Sequence, residues 1–158
     1  MLEDLIAERR KKIEALQRAC IAPYPARVPR THTVAEAREK FAALAKAKKK
    51  VSLTGRVTSI RDQGSIMFVD IRDGSGSFQA VLKEENLKEF ALWKANLDRG
   101  DFVSVTGALF TTKRGEQSIE VEALTLASKA LRPIPSERYG VEDTETRLRE
   151  RYLDIFLN

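Results

Sequence analysis

The feature that most limits how this chain can fold is a set of five strand-like segments, interrupted once by a helix, between Val51 and Ser128. The segments read VSLTGRVTSIR (51–61), IMFVDIRD (66–73) and SFQAVLK (77–83). A helical stretch, EENLKEFALWKANL (84–97), follows, and then DFVSVTGALFTT (101–112) and QSIEVEALTLAS (117–128). β-Branched and aromatic residues fill the strand segments, and Gly, Asp, Asn and Ser punctuate them. A ferredoxin-like arrangement would need a helix between the first two strands, where only DQGS stands.

Three strands, one helix and two strands within roughly 80 residues is the order of an OB-fold, a five-stranded Greek-key barrel that binds oligonucleotides on the face of strands 2 and 3. The fold expected is therefore an all-β core with a helical extension: an OB-fold barrel preceded by two α-helices. The hairpin of strands 2 and 3 can be worked out in detail. A turn centred on Gly74 and Ser75, a glycine-first pair suited to a type II′ turn, sets Arg72 opposite Ser77, Ile71 opposite Phe78, Asp70 opposite Gln79, Val69 opposite Ala80 and Phe68 opposite Val81. Because side chains alternate, Val69, Ile71, Phe78, Ala80 and Leu82 collect on an apolar surface that must face the barrel interior. Phe68, Asp70, Arg72, Ser77, Gln79 and Val81 collect on the other.

A phenyl ring on that outer surface is a stacking plane for an unpaired base, worth about 1–3 kcal/mol per base. Gln79, diagonally adjacent, carries both a donor and an acceptor and can read a base edge. Arg61, at the end of the first strand, adds charge and a fork of donors. In the last strand, inward Ile119 and Val121 leave Ser118, Glu120 and Glu122 outside, with Glu116 at the start of that row. A carboxylate among phosphates makes sense only as an acceptor for a specific base donor. The competing reading of Phe68, packing beneath a loop or against the N-terminal helices, is equally compatible with these residues.

Ahead of the barrel, Leu2, Leu5, Ile6, Ile13 and Leu16 lie at helical spacing, with Arg9, Arg10, Lys11, Lys12 and Arg18 on the polar side. That cluster reads either as a solvated face or as a phosphate contact. PYPARVP (23–29) breaks the helix. Thr33 and Glu36 form a capping-box pattern that opens a second helix through VAEAREKFAALAKAKKK, ending in a lysine run whose Lys48, Lys49 and Lys50 read either as a solvated helix end or as phosphate contacts beside a binding face. The net charge of +5 favours a polyanionic partner without deciding it, since 28 basic and 23 acidic residues are interspersed. One cysteine, Cys20, and one histidine, His32, supply neither a disulfide framework, a zinc site nor an activated nucleophile. No export signal, no membrane span of about 18 apolar residues and no glycine-rich phosphate loop is present, so a cytoplasmic location is expected.

The tail, KALRPIPSERYGVEDTETRLRERYLDIFLN, resembles the junction of bacterial-type lysyl-tRNA synthetases, where an anticodon-binding OB domain meets a class II catalytic domain. The matching marks are Leu131-Arg132-Pro133, the Tyr139-Gly140 turn, Glu145 and Arg149-Glu150-Arg151-Tyr152-Leu153-Asp154. Aspartyl and asparaginyl enzymes share the Arg-Tyr-Leu-Asp portion. The Leu-Arg-Pro start and the helical N-terminal extension favour the lysine family. Tyr139, where the family usually has tryptophan or histidine, and the RLRER run depart from its pattern.

The resemblance implies a helical extension (1–50), an anticodon-binding barrel (51–130), and a linker with the start of the catalytic domain (131–158). It implies that Phe68 stacks on the anticodon, that Gln79 and Arg61 read uridine and that Glu116 makes a further base contact. The expected partner is the tRNA(Lys) anticodon stem-loop. Lysine–tRNA ligase activity, ATP and Mg2+, and the homodimer of the full-length family are expected of the missing catalytic part, with no catalytic residue in this chain. The other reading is a free-standing OB module that binds single-stranded nucleic acid or a protein.

Overall fold

The computed structural model describes residues 1–135 and 141–157. Five strands, β1 (Lys50–Asp62), β2 (Ile66–Asp73), β3 (Gly76–Lys83), β4 (Phe102–Thr111) and β5 (Gln117–Ser128), close into a barrel in the order β1-β2-β3-β5-β4. Every pairing is antiparallel except β3 with β5. This is the OB-fold topology expected from the strand order, with the segment bounds reproduced to within a residue or so. The five inward residues of the hairpin, Val69, Ile71, Phe78, Ala80 and Leu82, are each at most 1% exposed. Val51, Leu53, Met67, Val103, Val105, Ile119 and Val121 fill the rest of the barrel.

The hairpin register is the one the alternation requires, from Asp73 opposite Gly76 through Phe68 opposite Val81. Its turn differs in mechanism. Gly74 does not adopt a positive φ, so the turn is not type II′. The Asp73 carboxylate closes it instead: Oδ1 accepts from the Ser75 and Gly76 amides at 2.7 and 3.0 Å, the side-chain-to-backbone bonding typical of Asp in turns. Its other oxygen accepts from the Val34 amide at 2.9 Å, which ties the extension to the hairpin tip.

The helical reading is right in place and wrong in extent at two points. Residues 84–97 yield only α4 (Phe90–Asn96), because the Glu84 amide donates to the Ser65 carbonyl and prolongs the hairpin pairing before the chain can coil. The second N-terminal helix is two, α2 (Val34–Glu39) and α3 (Phe41–Lys46), broken at Lys40 (φ −95°, ψ 11°). The break lets Val34 and Ala37 bury on one side of the bend and Phe41 and Leu44 on the other. The Thr33–Glu36 capping box forms, with bonds of 3.2 and 2.7 Å.

α1 (Leu2–Arg18) buries only Leu16 completely, and Leu2 and Leu5 stay about half exposed. Leu16 joins the hydrophobic core, and the basic residues of the helix add further ties to the rest of the chain. Arg9 donates to the carbonyl oxygens of Ala130 and Arg132, both at 3.0 Å. Lys12 bonds Asp98 at 2.7 Å. Asp98 also receives Lys129, which in turn bonds Asp101; the Lys129 and Asp101 side chains are 0% exposed. Burial acts to raise the Asp98 carboxyl, but hydrogen bonds and charge from Lys12 and Lys129 outweigh it and hold that group below its ordinary range. Burial keeps Asp101 above its ordinary value in spite of Lys129. Two of the five basic residues on α1 are thus committed to structure rather than to solvent or phosphate.

After the barrel come α5 (Thr144–Arg149) and α6 (Arg151–Leu157), the helical pattern expected of the tail. The Phe156 ring lies 4.5 Å from the Arg56 guanidinium, which also lies 5.0 Å from the Phe102 ring. The Tyr139-Gly140 turn of the sequence reading lies outside the described residues.

Candidate nucleic-acid interface

Phe68, Gln79, Arg61 and Glu116 come from three strands and a loop, and the barrel brings all four to one cavity of about 350 Å³. Gln63, Ile66, Val81, Lys83, Phe110 and the loop residues Thr112–Arg114 complete its walls. Arg61 reaches it through an irregularity. Val57 pairs with Ile71, but the register shifts before Ser59, which pairs with Asp70, so that Arg61 comes to lie opposite Phe68. Without that bulge, strict alternation from inward Val57 would turn Arg61 toward the core.

The Arg61 guanidinium lies over the Phe68 ring, 5.4 Å from its centroid, and donates to the Gln79 side-chain oxygen at 3.0 Å. Gln79 donates to Ser118 Oγ at 3.1 Å, and Ser118 donates to the Glu116 carbonyl at 3.3 Å. The chain of bonds runs in one direction. Arginine can only donate, so the amide oxygen of Gln79 must face Arg61 and its NH2 must face Ser118. One lone pair and one N–H of the amide remain available to a ligand.

Gln79 and Val81 were expected on an open outer surface. The structure makes them the floor of the cavity, 8% and 2% exposed, because β5 pairs alongside β3 and the 112–116 loop overhangs. Phe68 is half-buried on the wall, with part of its ring open to the cavity. The Glu116 carboxylate is exposed at the rim and makes no hydrogen bond or ion pair among the described residues. Its loop is fixed by its backbone: the Thr112 amide donates to the Glu116 carbonyl at 2.9 Å and the Glu116 amide to Thr112 Oγ1 at 3.1 Å.

Lys48, Lys49 and Lys50 do not line this cavity. Lys48 takes a left-handed φ of 49° after α3, and the amides of Lys48 and Lys49 donate back to the Ala45 and Leu44 carbonyls, a helix-stopping arrangement. Lys50 opens β1 and pairs with Glu122 at 2.6 Å. Sequence reasoning passed over Phe110 and Lys83. Alternation along β4 from inward Val103, Val105 and Leu109 puts Phe110 outside by the same logic that singled out Phe68.

A closed five-stranded barrel in this strand order is an OB-fold, and residues 51–127 match the model of the OB-fold nucleic acid binding domain family. The similarity extends well beyond the barrel. The chain is 40% identical over 157 residues to a lysine–tRNA ligase of Moorella thermoacetica, covering 98% of this chain and 32% of the relative. It is 38% identical to lysine–tRNA ligases of Dehalococcoides mccartyi, with 99% and 32% covered, and of Thermotoga maritima, with 100% and 33% covered. The chain aligns over nearly its whole length with the N-terminal region of these lysine–tRNA ligases and spans about a third of their length.

Proposed function

We propose that this chain is the tRNA-recognition region of a lysine–tRNA ligase and that its barrel cavity reads the tRNA(Lys) anticodon. The observation that carries the reading is the convergence of Phe68, Arg61, Gln79 and Glu116 on one cavity. In this account an anticodon base stacks on Phe68. Arg61 is preset by Gln79 and offers its remaining N–H groups to base oxygens, while the free lone pair and N–H of Gln79 meet a base edge. Glu116 accepts from a base donor. Lys48 and Lys49, exposed and away from the cavity, contact phosphates outside the bases, and Lys50 does so only on leaving Glu122.

Residues 1–50 serve as a helical extension, 51–130 as the recognition domain, and 131–158 as the linker into a class II catalytic domain. ATP- and Mg2+-dependent attachment of lysine, dimerisation and cytoplasmic location belong to the whole enzyme. Similarity to ligases before and after the barrel as well as within it favours this over a free-standing OB module.

Replacing Phe68 by Ala is expected to weaken binding of a lysine anticodon stem-loop by about 1–3 kcal/mol in a fluorescence titration. Unchanged affinity would assign the ring to packing.

A further inference from the structure

Resting on that reading, we infer that Phe110 is a second base-stacking station, so that the cavity holds two different anticodon bases, one on each ring. Each ring has its own cation: Arg61 lies 5.4 Å from the centroid of Phe68, and Lys83 Nζ lies 5.8 Å from that of Phe110. Lys83 is held there by Glu120 at 2.6 Å, as Arg61 is held by Gln79. The same ring–cation unit thus occurs on both sides of the buried Gln79–Val81 floor. Both rings are half-buried and both line the cavity, so neither is spent in the core.

The spacing argues against one shared base. Phe68 is on β2 and Phe110 on β4, and the sheet order between them is β2-β3-β5-β4. The barrel is closed, so β2 and β4 are also two steps apart through β1, and at about 4.8 Å per step the two backbones stand on the order of 10 Å apart. A single base sandwiched between rings would need them roughly 7 Å apart, twice the ~3.4 Å base spacing. Ser118 ties the two stations together: it faces Phe110 across β4 and β5 and accepts from Gln79. Recognition at one ring is therefore linked to the amide that reads beside the other.

The test uses this chain, anticodon stem-loops with a single abasic site at each anticodon position in turn, and the variants Phe68→Leu, Phe110→Leu and Phe110→Tyr. With the intact loop, Phe110→Leu should lose between about 5- and 150-fold in affinity, the range of one base–ring stack, and Phe110→Tyr, which keeps the plane, should lose less than about 3-fold. The Phe110→Leu loss should vanish with the abasic site at one position, and the Phe68→Leu loss at another. Losses that vanish at the same position, an undiminished affinity in Phe110→Leu, or a Phe110→Tyr loss as large as that of Phe110→Leu would each overturn the second station. If Phe68→Leu still weakens binding in those cases, anticodon reading stands. Absence of stem-loop binding by the unaltered chain would overturn both.

Discussion

Replacing Lys129 by Ala is expected to cost about 3–5 kcal/mol of stability, the loss typical of removing one partner from a buried ion pair. Lys129 and Asp101 are 0% exposed in their side chains and bond at 2.7 Å, and the same ammonium also holds Asp98 at 2.6 Å. Without it Asp101 retains the Asp98 and Ala130 amides as donors but no counter-charge, in a site that already raises its pKa. The damage should spread, because Asp98 also receives Lys12 and the carbonyl of Ala130 receives Arg9. Urea unfolding of Lys129→Ala and Lys129→Met checks this. The two should lose similar amounts, since Met restores bulk without charge, and adding Asp101→Asn to Lys129→Met should recover part of the loss. A loss under about 1 kcal/mol would mean that the pair behaves as a surface pair.

Gly107→Ala is expected to cost about 3 kcal/mol, the upper end of ordinary overpacking. A Cβ at this position would stand 1.8 Å from the Glu120 carbonyl oxygen and 2.8 Å from its carbon, both of them backbone atoms that no rotamer change can move. The clash falls where β4 shifts register against β5, between Thr106 and Gly107. The strands must therefore part, and the Ala108–Glu120 and Leu109–Ile119 pairings beside the cavity should loosen with them. Amide exchange on β4 and β5, read with the unfolding midpoint, tests this. Undisturbed protection and a midpoint within error of the parent chain would show that the bulge can open at little cost.

These two sites mark where the sequence was hard to read. The pattern that decides the barrel is local: alternation in IMFVDIRD and SFQAVLK sets the hairpin register, and the core follows from it. Gly107 inside a strand pattern is itself a signal of a bulge or a close backbone approach, so that site was legible in principle. The ion-pair network was not, because Lys129 lies 28 and 31 positions from its partners and isolated charges read as solvated. The side of β1 on which Arg61 falls depends on the bulge after Val57, which alternation alone would have placed wrongly.

The helices were legible by their apolar spacing and capping residues, but not their ends. Those depend on the Glu84–Ser65 backbone bond and the bend at Lys40. At the cavity, Phe68 was found because a ring on a polar face stands out. Phe110 was missed because β4 was read for its length and not for its faces. The lysine run read equally as a solvated helix end and as a phosphate contact; its local geometry, with Lys48 ending a helix and Lys50 paired with Glu122, was not legible from the run itself.

The most direct test of base reading is to titrate Gln79→Ala and the unaltered chain with two stem-loops, one carrying the lysine anticodon and one with its central base altered. Gln79 is the amide that joins Arg61 to Ser118, so its loss should remove discrimination more than affinity. The unaltered chain is expected to prefer the lysine anticodon, and Gln79→Ala to bind the two loops with a clearly narrowed ratio. An equal loss on both RNAs, with the ratio unchanged, would contradict the account.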